Sequence, residues 1–193
     1  MLIKRQKTEF ASLRIEILDL NVNAFFFIKK INRLAFILRT TSREFLLEEF
    51  IALRYMENGI ILHLTNLDDS SSSKYSFHEA AKQINKISKD QKALKILNQS
   101  IKNYRRNVNS LKVKHRNTRI AHINYEKDLN FDQFLNFATQ LKPLILEANN
   151  IADTIWGERI NILFKLGSIE GILDFRNDTE NFTIDVNKVK DFS

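Results

Sequence analysis

Cysteine is absent, which excludes disulfides, thiolate metal sites and cysteine nucleophiles, and fits a reducing, cytoplasmic setting. Proline occurs once and glycine four times in 193 residues. Sheet proteins need many tight turns, and tight turns draw on those two residues. Their scarcity points to long helices joined by few connections. Long apolar runs are missing too: "AFFFI" at 24–28 is closed by Lys29 and Lys30, far short of a bilayer span, so no membrane partner is expected. The basic start "MLIKRQKTEF" is followed by no apolar segment, so no signal peptide is expected. No glycine-rich phosphate loop is present, which excludes nucleotide hydrolysis by a P-loop. No His-x-x-x-His pair occurs, and His78-Glu79 lacks a second His at metal-binding spacing. No metal and no cofactor are expected.

What is present is hydrophobic and basic. A 44% hydrophobic fraction with 15 Phe is enough for a real core and argues against wholesale disorder. Thirty basic residues against 23 acidic give a net charge of +7 and a sequence pI near 9.6. That balance favours a polyanionic partner: RNA, DNA or an acidic protein. Codon bias toward Lys, Asn and Ile is the competing, bland account of the same charge.

Apolar spacing assigns the elements. Residues 5–39 read as helical, with Leu13, Ile17 and Leu20, then Phe27, Ile31, Leu34 and Leu38, at helical steps; "LNVNA" at 20–24 is a candidate break. Thr41 and Glu44 form a capping box for a helix over 42–66, whose face Phe45, Glu49, Ala52, Met56, Ile60 is interrupted by a charge. "LDDSSSSKYS" at 67–76 is a loop. Ser76 and Glu79 cap a short helix to about residue 87. Ser88 and Gln91 repeat the signature for a helix over 89–108, with Ala93, Ile96, Leu97 and Ile101 as its apolar stripe. After a turn at 126–131, one long helix is expected over 132–164, kinked or restarted at Pro143. From Gly167 the period fails. The reading is an all-α antiparallel bundle over 1–166, with a loosely structured tail over 167–193 that holds at most one short helix or strand.

The chemistry concentrates in "KHRNTRIAHINYE", residues 114–126. At about 100° per residue, Val113, Arg116, Ile120 and Ile123 share one side of a helix, and His115, Arg119 and His122 share another. Arg116 thus falls on the packing side, where a guanidinium needs an acidic partner, a phosphate or an interface. Arg116 and His122 diverge by roughly 120° on a straight helix. A helix that starts regularly only after Asn117, or a second copy of the chain about a two-fold axis, would bring them together. Together these residue types suit metal-independent phosphodiester cleavage. His moves a proton near neutral pH, Arg neutralises charge developing on phosphate, and Asn orients a hydroxyl or the imidazole.

The pattern "RNTRIAH" resembles the signature of the HEPN superfamily: Arg, a polar residue, a few positions, then His. The segment "YRRNVNSLKVKHRNTRIAHINYEKDL", followed by a long helix, is most similar to the abortive-infection AbiU-like branch. The resemblance covers about residues 40–165. It implies a small helical bundle, commonly dimeric, acting as a metal-independent ribonuclease in toxin–antitoxin, abortive-infection or CRISPR effector systems. By motif match, Arg116, Asn117 and His122 would be the catalytic residues. Partners implied are RNA, tRNA among them, a second copy of the chain, and a cognate antitoxin or phage-derived trigger. One departure stands out. The branch paired with nucleotidyltransferase antitoxins has Tyr one residue beyond the position after His, where this chain has Asn124, with Tyr125 one further on.

Other residues carry blander expectations. Lys114, His115 and Arg119 are candidate RNA-phosphate contacts, or a solvated basic face. His63 and His78 read as structural or surface residues, and Glu48 and Glu49 as solvated or ion-paired acids. The alternative to an enzyme is a catalytically inactive helical module that binds nucleic acid or a partner protein. A DNA-binding regulator has less support, because no short helix-turn-helix with Gly at its turn is found.

Overall fold

A computed structural model of the chain describes residues 10–71, 73–114, 134–161 and 174–182. Every regular element among them is helical. In chain order they are α1 (Ala11–Thr40), α2 (Arg43–Leu67), α3 (Phe77–Ile87), α4 (Gln91–Leu111), a π-helical turn (Phe137–Leu141), α5 (Lys142–Trp156) and α6 (Phe175–Glu180). Among the described residues, no helix is long and apolar enough to cross a membrane.

α1 and α2 form an antiparallel hairpin. Lys30 reaches Glu49 at 2.8 Å near its closed end, and His63 Nδ1 meets Glu16 Oε1 at 2.8 Å toward the open end. The helices approach closely where Gly59 faces Asn23: a Cβ on Gly59 would sit 3.2 Å from the Asn23 carboxamide. α5 also runs antiparallel to α1, since Phe10 packs edge-on against Trp156 while Asn21 meets Asn149. α4 lies on α5, α3 and α2. The core is continuous across these helices and includes Leu13, Ile17, Leu53, Leu64, Leu97 and Ile145.

The expected break at 20–24 does not occur; α1 continues through it. Asn21 is fully buried, and its side-chain amide donates to Ile17 O at 2.7 Å and to Asn149 Oδ1 at 2.8 Å. The Asn149 amide answers with 2.9 Å to Asn21 Oδ1. A poor helix former is tolerated there because its polar atoms are satisfied across the helix interface. The caps shift by small steps. Ser42, not Thr41, caps α2 by accepting from Phe45 N, and Asp90, not Ser88, caps α4 by accepting from Ala93 N. Ser76 caps α3 as expected.

Two larger corrections fall at the C-terminal end. The helix expected over 132–164 begins later than expected and restarts at Pro143, as one of its two expected forms had it: residues 134–136 are not helical, the π turn follows, and Pro143 sits in the first turn of α5, where an amide is not needed. α5 then stops at Gly157, whose φ of 70° is the left-handed conformation that ends helices. The described part of the tail is not loose. Phe175 is buried edge-on against Phe25, and buried Arg176 grips both Asp153 oxygens at 2.8 and 2.9 Å. Lys142 Nζ donates to Phe182 O at 3.0 Å, tying the end of this segment to α5.

The Asn21–Asn149 pair yields a stability prediction. Asn149→Ala leaves the buried Asn21 carboxamide half-satisfied, so it should lower unfolding stability by about 1–3 kcal/mol. A urea midpoint equal to wild type would show that the pair contributes nothing.

Candidate functional site

Of the residues singled out by the motif, Arg116, Asn117 and His122, with His115 and Arg119, lie outside the described residues. Lys114 is described: it is exposed, and residues 112–114 continue α4 with π-helical backbone. The chain is next described at Phe134, three residues before the π-helical turn at 137–141. Inserted turns of this kind occur often at functional sites. Phe134 lies under the Arg54 guanidinium, 4.7 Å from its carbon to the ring centre. Leu135 N donates to Glu57, which also accepts from Arg54 Nη1 at 3.0 Å. Glu57 is fully buried, and burial pushes its carboxyl above the usual range despite the Leu135 amide and Arg54. Sequence reasoning missed this acid, because it falls on a helix face whose neighbours are mixed.

The other described constellation stands where α2 ends. Asp68 caps the C-terminus of α2 with its side chain buried. That is the wrong end of a helix for an anion. Three basic side chains compensate: His78 Nε2 from α3 at 3.0 Å, Lys112 Nζ at 3.6 Å and Arg105 Nε from α4 at 3.9 Å. Beside them the buried Tyr104 hydroxyl donates to Leu64 O at 2.7 Å, satisfying a last-turn carbonyl of α2. Burial, with Asp68 nearby, pushes the Tyr104 hydroxyl well above its ordinary value, so it stays a donor.

His78 is structural in the sense that Asp68 orients it, but it also lines a cleft. Between α3 and α4 runs a cavity of about 280 Å³ lined by His78, Lys82, Asn85, Asn98, Lys102 and Arg105. It continues along α4 into a second hollow that shares Asn85, Asn98 and Lys102 and adds Lys95. His63 is held by Glu16 and is not part of this cleft. Glu49 is buried and ion-paired, as one of its two expected roles had it. Burial alone would raise its carboxyl, but Lys30 and Arg33 outweigh that and hold it below the usual range. Among the described residues, no group of three His, Asp or Glu side chains is placed to hold a metal ion.

No protein-family model, no curated protein and no solved structure matches this chain.

The loop that delivers α3 and His78 is organised by Asp69. Its carboxylate accepts from Ser71 N at 2.9 Å and from the Ser71 and Ser73 hydroxyls. These bonds, Ser73 first, pull it from 3.8 down to about 2. A depressed carboxylate contributes stability that is present above its unfolded value and lost as pH falls through its folded value. Asp69→Asn should therefore unfold at lower urea than wild type at pH 7. The gap should narrow as pH falls from 3.8 toward about 2. A gap that stays constant across that window would show that the loop does not depend on the charged form.

Proposed function

We propose that this chain is a metal-independent endoribonuclease of the HEPN type, a toxin of a toxin–antitoxin or abortive-infection system. The observation that carries the reading is the run Arg116-Asn117, four residues, His122, set between helical segments of a bundle. In this reading His122 acts as general base or acid on the 2′-OH pathway. Arg116 stabilises the charge that develops on the phosphorus-bound oxygens, and Asn117 orients the reacting groups. The products are a 2′,3′-cyclic phosphate and a 5′-OH. Lys114, His115 and Arg119 contact RNA phosphates beside the site. Two features support the reading: the all-helical core, and the π-helical backbone at 112–114 and 137–141 on either side of the motif. An RNA-binding module without catalysis is the second reading, favoured by the basic cleft between α3 and α4.

Incubation with total RNA and purified tRNA in EDTA separates the two. Wild type should cut and leave cyclic phosphate ends, while His122→Ala should fold normally and lose at least 100-fold in rate. A His122→Ala protein that cuts as fast as wild type would falsify the assignment.

The proposed enzyme works as a homodimer, and the α1–α2 hairpin offers a surface for the second copy. The ion pairs Lys30–Glu49 and Glu16–His63 run α1, with Leu18 and Phe26, alongside α2, with Tyr55 and Leu62. With Ile15 and Ile51, these side chains are each more than a third exposed. Six such side chains on one hairpin are more than the singly scattered apolar residues ordinary on a monomer surface. Ile51→Asp with Tyr55→Asp should leave a folded monomer where wild type is dimeric by light scattering. Wild type that stays monomeric at about 100 µM, weaker than standard interfaces allow, removes this surface from consideration.

A further inference from the structure

The net charge of the chain is not spread along it. From Gln91 to Tyr125 there is no Asp or Glu, and nine Lys and Arg occur. The remaining residues hold 21 basic against 23 acidic, so all of the positive excess lies in this one segment. Codon bias would spread Lys through the chain and would not exclude acids from 35 consecutive residues. The segment comprises α4 and residues 112–125.

The structure gives the first part of that segment a shape. On α4, Lys95, Asn98, Lys102 and Arg105 succeed one another at steps of three or four, so they form one stripe. Facing them from α3 are His78, Lys82 and Asn85, at the same kind of step. Lys82 and Arg105 are about half exposed, so their charges reach the open side. The floor is Ala81 and Ile101, and no carboxylate lines either hollow. Carboxylates stand nearby, among them Asp90, which caps α4 next to Gln91 at the end of the second hollow. Asp68 is buried behind His78 and Arg105, and Glu79 holds Lys82 at 3.5 Å from the α3 side. The groove thus alternates cations with carboxamides, which both donate and accept. Cations match phosphates, and carboxamides match sugar hydroxyls and base edges. A protein partner would more often be met by aromatic anchors in desolvated pockets, and none lines the groove. Carboxamides reach base edges more readily in an unpaired strand than in an A-form duplex, whose deep, narrow major groove side chains cannot read.

We infer that the α3–α4 groove is a docking track for the sugar–phosphate backbone of single-stranded RNA, running along α4. The inference rests on the ribonuclease reading for its choice of RNA, and it adds a site that the Arg116–His122 motif does not contain. The stripe of Lys95, Lys102 and Arg105 continues along α4 to Lys112, and in the sequence the motif begins two residues later. His78 takes part as a group pre-oriented by Asp68: Nε2 donates to the carboxylate, which leaves Nδ1 to meet the strand.

The test is equilibrium binding of a fluorescent 20-nucleotide single-stranded RNA in EDTA at several salt concentrations. The His122→Ala protein serves as parent, so that cleavage does not interfere. Lys95→Glu with Lys102→Glu, and separately Lys82→Glu with Arg105→Glu, should raise Kd at least tenfold. Each pair should also flatten the slope of log affinity against log salt by about 1.4, the equivalent of two phosphate contacts. Arg39→Glu with Arg43→Glu, at the far end of the hairpin, makes the same change in charge and should alter Kd less than threefold. Lys95, Lys102, Arg39 and Arg43 are at the surface, so melts of those two pairs should stay near the parent's; Lys82→Glu with Arg105→Glu removes cations that face Glu79 and the buried Asp68, so its binding is measured well below its own melting temperature. The proposal is overturned if the parent does not bind the strand. It is also overturned if the groove pairs bind like the parent, if the hairpin pair loses as much, or if polyglutamate competes as well as RNA at equal charge. The ribonuclease reading fails separately: wild type that binds the strand through this groove but cuts no RNA would keep the track and remove the enzyme.

Discussion

Asp68 sets a constraint that much of the described surface answers to. A carboxylate at a helix C-terminus meets unpaired carbonyls and the negative end of the helix dipole, and burial adds a desolvation cost. Such a group persists only where cations converge on it. Here Arg105 of α4 and Lys112 just after it supply the charge, and His78 of α3 adds a ring N–H at 3.0 Å. One carboxylate therefore fixes the ends of three helices relative to one another. The Tyr104 hydroxyl, donating to Leu64 O in the last turn of α2, ties α4 to the same place by a second, independent bond. The groove between α3 and α4 opens beside this junction, and His78 and Arg105 belong to both.

Much of the fold could be read from the sequence because helix signals are local. Ser76 was found as a cap because a single hydroxyl stood at the right spacing before an apolar run. At the other two starts the choice went one or two residues astray. Thr41 and Ser42 are neighbours, and Ser88 stands two positions before Asp90; the residue that wins is the one whose oxygen reaches the amide three positions on. The break expected at 20–24 failed for a non-local reason, since Asn21 is stabilised by a residue 128 positions away. The stop at Gly157 was legible in principle, as glycine just past an apolar helix is a known terminator. One short helix was allowed for in the tail and α6 is one, but six residues are too few to show a period that would place it. It is held by Phe175 and by the Arg176–Asp153 pair, neither of which is a local signal.

The candidate site divides in the same way. The Arg116, Asn117, His122 pattern is a matter of residue type and spacing, so it was visible at once. The Asp68–His78 pair was not, because its partners lie ten positions apart across a loop and neither has a spacing that marks it. His78 looked like an ordinary surface histidine, and only its company in the cleft changes that. Glu57 was hidden for a similar reason. Its two partners, Arg54 and the Leu135 amide, come from its own helix and from a segment 78 positions away. What could have been found earlier is the absence of acids over 91–125, which net charge averages away.

That absence also bears on how the two parts of the site relate. An enzyme that cuts a flexible strand gains little from reactive groups alone, because an unrestrained strand seldom presents its scissile phosphate in line. Binding sites built on rigid helices hold geometry better than sites built on loops. α4 meets this requirement on one side and the motif lies beyond it on the other, within one acid-free run. A carboxylate anywhere along that run would repel the same phosphates that the cations attract, at contact distances where screening by salt is weakest. Excluding acids from the whole run, rather than only from the motif, is the pattern expected if the strand must be held before it is cut.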